Sequence, residues 1–95
     1  MIDRKLLEWV TDAASNDYED LKMITEQVLE WAAEKSAPMT AALVGPAVAE
    51  AVKQGYLQAF TYSQAKQTFE PCDYRADQAD KLYFYATKKG KATLT

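Results

Sequence analysis

Residues 40–57, TAALVGPAVAEAVKQGYL, constrain this chain more than any other stretch. An apolar helical pattern is interrupted at Gly45-Pro46, resumes, stops at Gly55 and runs directly into a β-type segment. Thr40 suits an N-cap, and Pro46 suits the first position of a helix, where a missing N–H costs nothing. Gly55 stands where a C′ residue must turn left-handed. Two readings fit: a short helix to Val44 followed by a second over 46–54, or one helix over 40–54 kinked at Pro46 at a local cost of about 3 kcal/mol. The two-helix reading is adopted, with Ala47, Val48, Ala51 and Val52 facing inward.

Upstream, Ile2, Leu6, Trp9, Val10 and Ala13 recur at three- and four-residue steps and predict a helix over about 3–14. Ser15-Asn16-Asp17 breaks it, and Asn16 or Asp17 offers a cap for the next helix. That helix is expected from Tyr18 to Lys35, burying Leu21, Ile24, Val28, Trp31 and Ala32. Trp9 and Trp31 are expected in the core where these two helices cross. Glu26, Glu30 and Glu34 form an acid row on another face, either simply solvated or a docking surface for a basic partner.

Downstream, Tyr56–Tyr62 alternates, with Leu57, Ala59 and Thr61 on one side and Tyr56, Gln58, Phe60 and Tyr62 on the other. Leu82–Ala86 alternates likewise, with Leu82, Phe84 and Ala86 against Tyr83 and Tyr85. Two antiparallel strands are expected, joined by a long polar connection over 63–81. Asp73, Asp77 and Asp80 lie at spacings that allow one helical turn there. Thr87 then reads as a cap for a short basic turn.

Composition narrows the chemistry. Ninety-five residues make one domain with a thin core. The chain has no histidine, no nucleophile elbow and no glycine-rich phosphate loop, so no catalytic residue and no cofactor is expected. The aspartates of the 63–81 connection lack the EF-hand order, and no metal ligand is assigned. Cys72 stands alone between Glu70 and Asp73, which oppose thiolate formation, and an inert thiol is expected. With no long apolar run and no secretory pattern at the start, the expected location is cytoplasmic, away from membranes. The net charge of −3 is uneven: residues 1–34 carry nine acids and three bases, whereas residues 81–95 carry four lysines and no acid.

The segments Ala51-Val-Lys-Gln-Gly-Tyr-Leu57 and Tyr83-Phe-Tyr-Ala-Thr-Lys-Lys-Gly-Lys91 resemble the end of the third helix and the second wing strand of winged helix-turn-helix domains. The resemblance implies an α+β, mainly helical fold. Its winged-helix-like three-helix core would carry an extra N-terminal helix (1–15) and a two-stranded β-hairpin wing. The core would span 18–62 and 82–95, with 63–81 as a long wing loop. It further implies that helix 46–54 faces DNA bases. That helix, however, offers only Glu50, Lys53 and Gln54 as polar side chains, and guanine readout favours Arg or Lys.

Two surfaces follow. Tyr56, Phe60, Tyr62, Tyr83 and Tyr85 are expected to share one sheet face, suited to a protein partner or a second copy in a homodimer, or to nucleobase stacking. Lys53, Gln54, Lys88, Lys89 and Lys91 are the nucleic-acid candidates. The functional expectation is a non-enzymatic regulatory module acting through protein–protein contacts, self-association included. The alternative is a DNA-binding transcriptional regulator using helix 46–54 and the basic lysines.

Overall fold

The computed structural model describes residues 3–94. Ile2, assigned above to the first helical stripe, lies outside them. The chain forms α1 (Arg4–Ala13), β1 (Glu19–Asp20), α2 (Leu21–Glu34), α3 (Ala41–Lys53), β2 (Leu57–Ser63), β3 (Thr68–Cys72), a 3-10 turn (Ala76–Lys81), β4 (Tyr83–Ala86) and α4 (Lys88–Ala92). The fold is α+β, with a four-stranded antiparallel sheet in the order β1-β4-β2-β3.

α1 starts at Asp3, whose carboxylate accepts from the Lys5 amide. It buries Leu6, Leu7 and Val10 in the same core as α3 and the sheet, so it is integral to the fold and not an appendage. α2 begins three residues later than expected. Glu19 and Asp20 pair with Phe84 and Tyr83 of β4, and Asp20 then caps the helix through the Met23 amide at 2.8 Å. Asp17 instead accepts from Tyr18 N. Trp9 and Trp31 are both half-buried at the margin; Ile24, Val28 and Ala32 fill the crossing.

The two helices expected around Gly45-Pro46 are one. Val44, Ala47, Val48 and Ala51 are all buried, and they stand at the i, i+3, i+4 and i+7 positions of a single stripe. Breaking the helix at Pro46 would rotate half of that stripe out of the core. Burying each valine is worth about 1.5–3 kcal/mol, which outweighs the proline. α3 ends as expected at Gly55, with φ +82°: Gly55 N donates to Val52 O and Tyr56 N to Ala51 O, a Schellman closure. α2 closes the same way with Ser36 at φ 53° in the glycine position.

The 63–81 connection is not a loop. Residues 64–67 turn, with Gln67 at φ 52°, and β3 returns along β2 from Thr68 opposite Ser63 to Cys72 opposite Ala59. Pro71 argues against a strand in sequence, but β3 lies at the sheet edge, where one side of the backbone needs no partner. In place of the expected two-stranded hairpin there is a four-stranded sheet.

α4 is seated by Thr87 and Gly90. Thr87 Oγ1 donates to Gly55 O and accepts from Gly90 N at 3.0 Å, while Thr87 N donates to Tyr56 O at 3.0 Å. Gly90 is buried against the Tyr56 carbonyl.

Candidate functional site

Strand register divides the sheet into two unlike faces. Leu57 lies opposite Ala86 and Ala59 opposite Phe84, and all four are buried against the helices. The alternate residues point the other way: Phe60 opposite Tyr83, Gln58 opposite Tyr85, and Tyr62 opposite Phe69. Asp20, opposite Tyr83, belongs to that outer face, and Tyr18 arrives beside it by the same alternation.

The outer face is a continuous aromatic surface. Tyr18 stacks on Phe69 with centroids 4.1 Å apart and planes 13° from parallel, and meets both Phe60 and Tyr85 at 4.9 Å. Phe69 in turn reaches Tyr83 at 5.0 Å and Tyr62 at 5.1 Å, both edge-on. Such ring pairs contribute about 0.5–1.5 kcal/mol each beyond their burial. The rings are half-buried except Tyr62, which keeps 44% of its surface exposed.

Four of the five expected aromatic residues therefore meet here: Phe60, Tyr62, Tyr83 and Tyr85. Tyr56 does not. It precedes β2, packs against the helical core, and carries Lys89 Nζ 5.4 Å from its ring centre. Tyr18 and Phe69 complete the surface and were missed from sequence. From sequence, Tyr18 falls at the start of a helix and Phe69 in the polar 63–81 connection. The alternation of Phe69 and Pro71 against Thr68, Glu70 and Cys72 was the available signal.

The structure divides the nucleic-acid candidates. Lys89 Nζ donates to Gln54 O at 2.9 Å, satisfying the C-terminal end of α3, and Gln54 Nε2 donates to Glu50 Oε2 at 2.7 Å. Lys53 and Lys88 are exposed. Lys91 turns to the other side of the sheet, 4.6 Å from the Tyr85 ring centre and 3.3 Å from its hydroxyl. The solvent side of α3 presents Ala42, Leu43 and Pro46, with Leu43 49% exposed.

Other features are less suited to recognition. A cleft of about 300 Å³ between α1, the end of α3 and α4 is lined by Arg4, Glu8, Thr11, Gln54, Tyr56 and Thr93. Its side chains are engaged locally: Arg4 with Glu8 at 3.8 Å, and Thr11 Oγ1 donating to Leu7 O at 2.8 Å. Asp77 of the 3-10 turn pairs with Arg75 at 3.5 Å, and among the described residues no three of Asp, Glu, Cys or His converge on a point. Burial raises the Cys72 thiol above its ordinary pKa, and Asp73 adds to the effect. Glu19 is also raised, by burial first and then by Asp17 and Asp20. Glu26, Glu30 and Glu34 are exposed along α2. Among the described residues no helix is long and apolar enough to cross a membrane.

Comparison with protein-family models, curated proteins and solved structures finds no match to this chain.

Proposed function

We propose that this chain is a non-enzymatic, winged-helix-like module that acts in a regulatory setting through protein contacts, self-association included, made by its outer sheet face. One observation carries the reading. Six aromatic side chains, five from strands β2, β3 and β4 and Tyr18 from the approach to β1, cover a sheet face whose reverse packs against the helices. Tyrosine-rich surfaces supply large, rigid contact area with polar edges, the composition favoured at interfaces. The order helix, short strand, two helices and antiparallel sheet, with β1 beside β4, supports the winged-helix likeness.

The helix that would enter a DNA groove, α3, speaks for protein over DNA. Its exposed side is Ala42, Leu43 and Pro46 with Lys53 as the one exposed base, and the nearby Gln54 and Lys89 are bonded within the chain. The test combines sedimentation across a wide concentration range with anisotropy on mixed-sequence duplex DNA at two salt concentrations. Concentration-dependent association abolished by Tyr62→Glu, with no duplex binding, is the expected result. Salt-sensitive duplex binding weakened by Lys53→Glu would instead show phosphate contacts and refute the reading.

A further inference from the structure

The outer sheet face carries a cation of its own. Lys91 Nζ, from α4, sits 4.6 Å from the centre of the Tyr85 ring and within 3.3 Å of its hydroxyl. That geometry lies inside the distance at which an ammonium is held by a ring quadrupole. It shows what the surface accepts: an alkylammonium or guanidinium laid against a tyrosine face. Lys91 occupies one ring at one side. Tyr62 and Tyr83, across the cluster, present further rings to solvent.

The charge around the rings favours the same chemistry. Asp20 stands across from Tyr83 in the strand register and Asp17 is exposed next to Tyr18; each accepts one backbone amide, Asp20 from Met23 N and Asp17 from Tyr18 N, through a single oxygen. The protein as a whole bears a net charge of −3, which favours a basic partner over a polyanion. Lys66, in the β2–β3 turn, is tied to Glu70 at 3.5 Å, leaving Lys91 as the cation that the structure places on a ring of this surface. A nucleic acid could stack on the same rings, but its phosphates would meet Asp17 and Asp20. A basic peptide gains from both the rings and the acids.

We propose that the outer sheet face recognises an arginine-bearing basic segment of a partner protein, by cation–π contact on Tyr62, Tyr83 and Tyr85 and ion pairing at Asp17 and Asp20, with Lys91, which already holds the Tyr85 ring, as an internal competitor. This rests on the protein-contact reading above and specifies the chemistry of the partner. Guanidinium suits the site better than ammonium because its plane can lie on a ring while its edge meets a carboxylate.

The sign of one substitution tests the idea. Lys91→Gln removes the resident cation from an exposed position. Binding of a fluorescent arginine–glycine repeat peptide is measured by anisotropy at moderate salt, beside a neutral proline-rich peptide and a single-stranded oligonucleotide. Lys91→Gln is expected to tighten the arginine peptide by roughly two- to fivefold, and Tyr62→Leu with Tyr83→Leu to weaken it by about fivefold or more. The leucines keep the surface apolar while removing the π faces, along with the hydroxyls and the edge contacts to Phe69. Oligonucleotide binding weakened by Lys91→Gln would overturn the proposal. Arginine-peptide binding that ignores both the leucine and glutamine variants would overturn it too, as a merely electrostatic contact. Binding of the neutral peptide alone, or self-association lost in Tyr62→Glu with no response to arginine, overturns this inference and leaves the protein-contact reading standing. No binding by any peptide and a monomer at every concentration removes both.

Discussion

Gly90→Ala offers a prediction whose sign depends entirely on tertiary structure. Inside a helix, alanine is ordinarily better than glycine by about 0.8–1 kcal/mol. A Cβ on Gly90, however, would lie 2.1 Å from the Tyr56 carbonyl oxygen, 2.9 Å from its carbon and 3.1 Å from Thr11 Cγ2. An unstrained contact between a carbon and these atoms needs roughly 3.5 Å, so α4 must retreat by about 1 Å or more. That movement stretches Thr87 N to Tyr56 O, now 3.0 Å, and the Thr87 Oγ1 bond to Gly55 O. Overpacking costs about 1–3 kcal/mol, and each lost hydrogen bond about 0.5–1.5 kcal/mol. Set against the propensity gain, the net is a destabilisation of about 2 kcal/mol. For a domain of this size that lowers Tm by about 8–16 °C. Urea unfolding and thermal melts give the global number, and hydrogen exchange at the Lys91 amide, bonded to Thr87 O at 2.9 Å, reports α4 directly. Gly45→Ala is the comparison. Apart from its chain neighbours and the nearby backbone of α3 itself, no atom lies within 4 Å of its Cβ among the described residues, and the opposing Pro46 ring cancels the propensity gain, so stability should stay within about 0.5 kcal/mol. Were Gly90→Ala as stable as the wild type, the seating of α4 on Tyr56 would be wrong.

Three further outcomes follow from the same structure. Pro46→Ala restores an amide to the interior of α3 at an exposed position and should stabilise by about 1–3 kcal/mol in urea; a loss would mean that the ring makes a contact that matters. Ser36→Gly relieves a left-handed backbone at the end of α2 and should raise stability by about 0.5–1 kcal/mol, read in the same assay. Glu19 is held above its ordinary value of 4.5, so the folded protein binds its proton more readily than the unfolded chain. Its charge therefore opposes folding at pH above the raised value, and that opposition fades as pH falls to 4.5 and below. Glu19→Gln should raise Tm at neutral pH, with the advantage closing in acid; an equal advantage at every pH would assign the effect to packing.

The residues themselves determined much of the local structure. The three- and four-residue steps of Leu6, Trp9, Val10 and Ala13, and of Leu21, Ile24, Val28 and Ala32, mark α1 and α2 because burial is periodic in a helix. Gly55 ends α3 because its left-handed turn is nearly free of cost only for glycine. The alternation of Leu57 with Ala59 and of Phe84 with Ala86 picked the buried face of both strands, and Thr87 announced α4. These are properties that neighbouring residues decide among themselves. Tertiary structure decided the rest. α3 runs through Pro46 because one buried stripe is worth more than one lost hydrogen bond, which no window around the proline can weigh. β3 exists because β2 was there to pair with and its other edge was free, so Pro71 did no harm. Glu19 and Asp20 left the helix for β4 for the same reason. The candidate surface was half legible: alternation put Phe60, Tyr62, Tyr83 and Tyr85 together, but Tyr18 joined them from the approach to a two-residue strand and Phe69 from a short edge strand containing Pro71, and Tyr56 was drawn away to the helical core. A sequence states which side chains seek burial; their partners are far along the chain, and only the folded sheet brings them within reach.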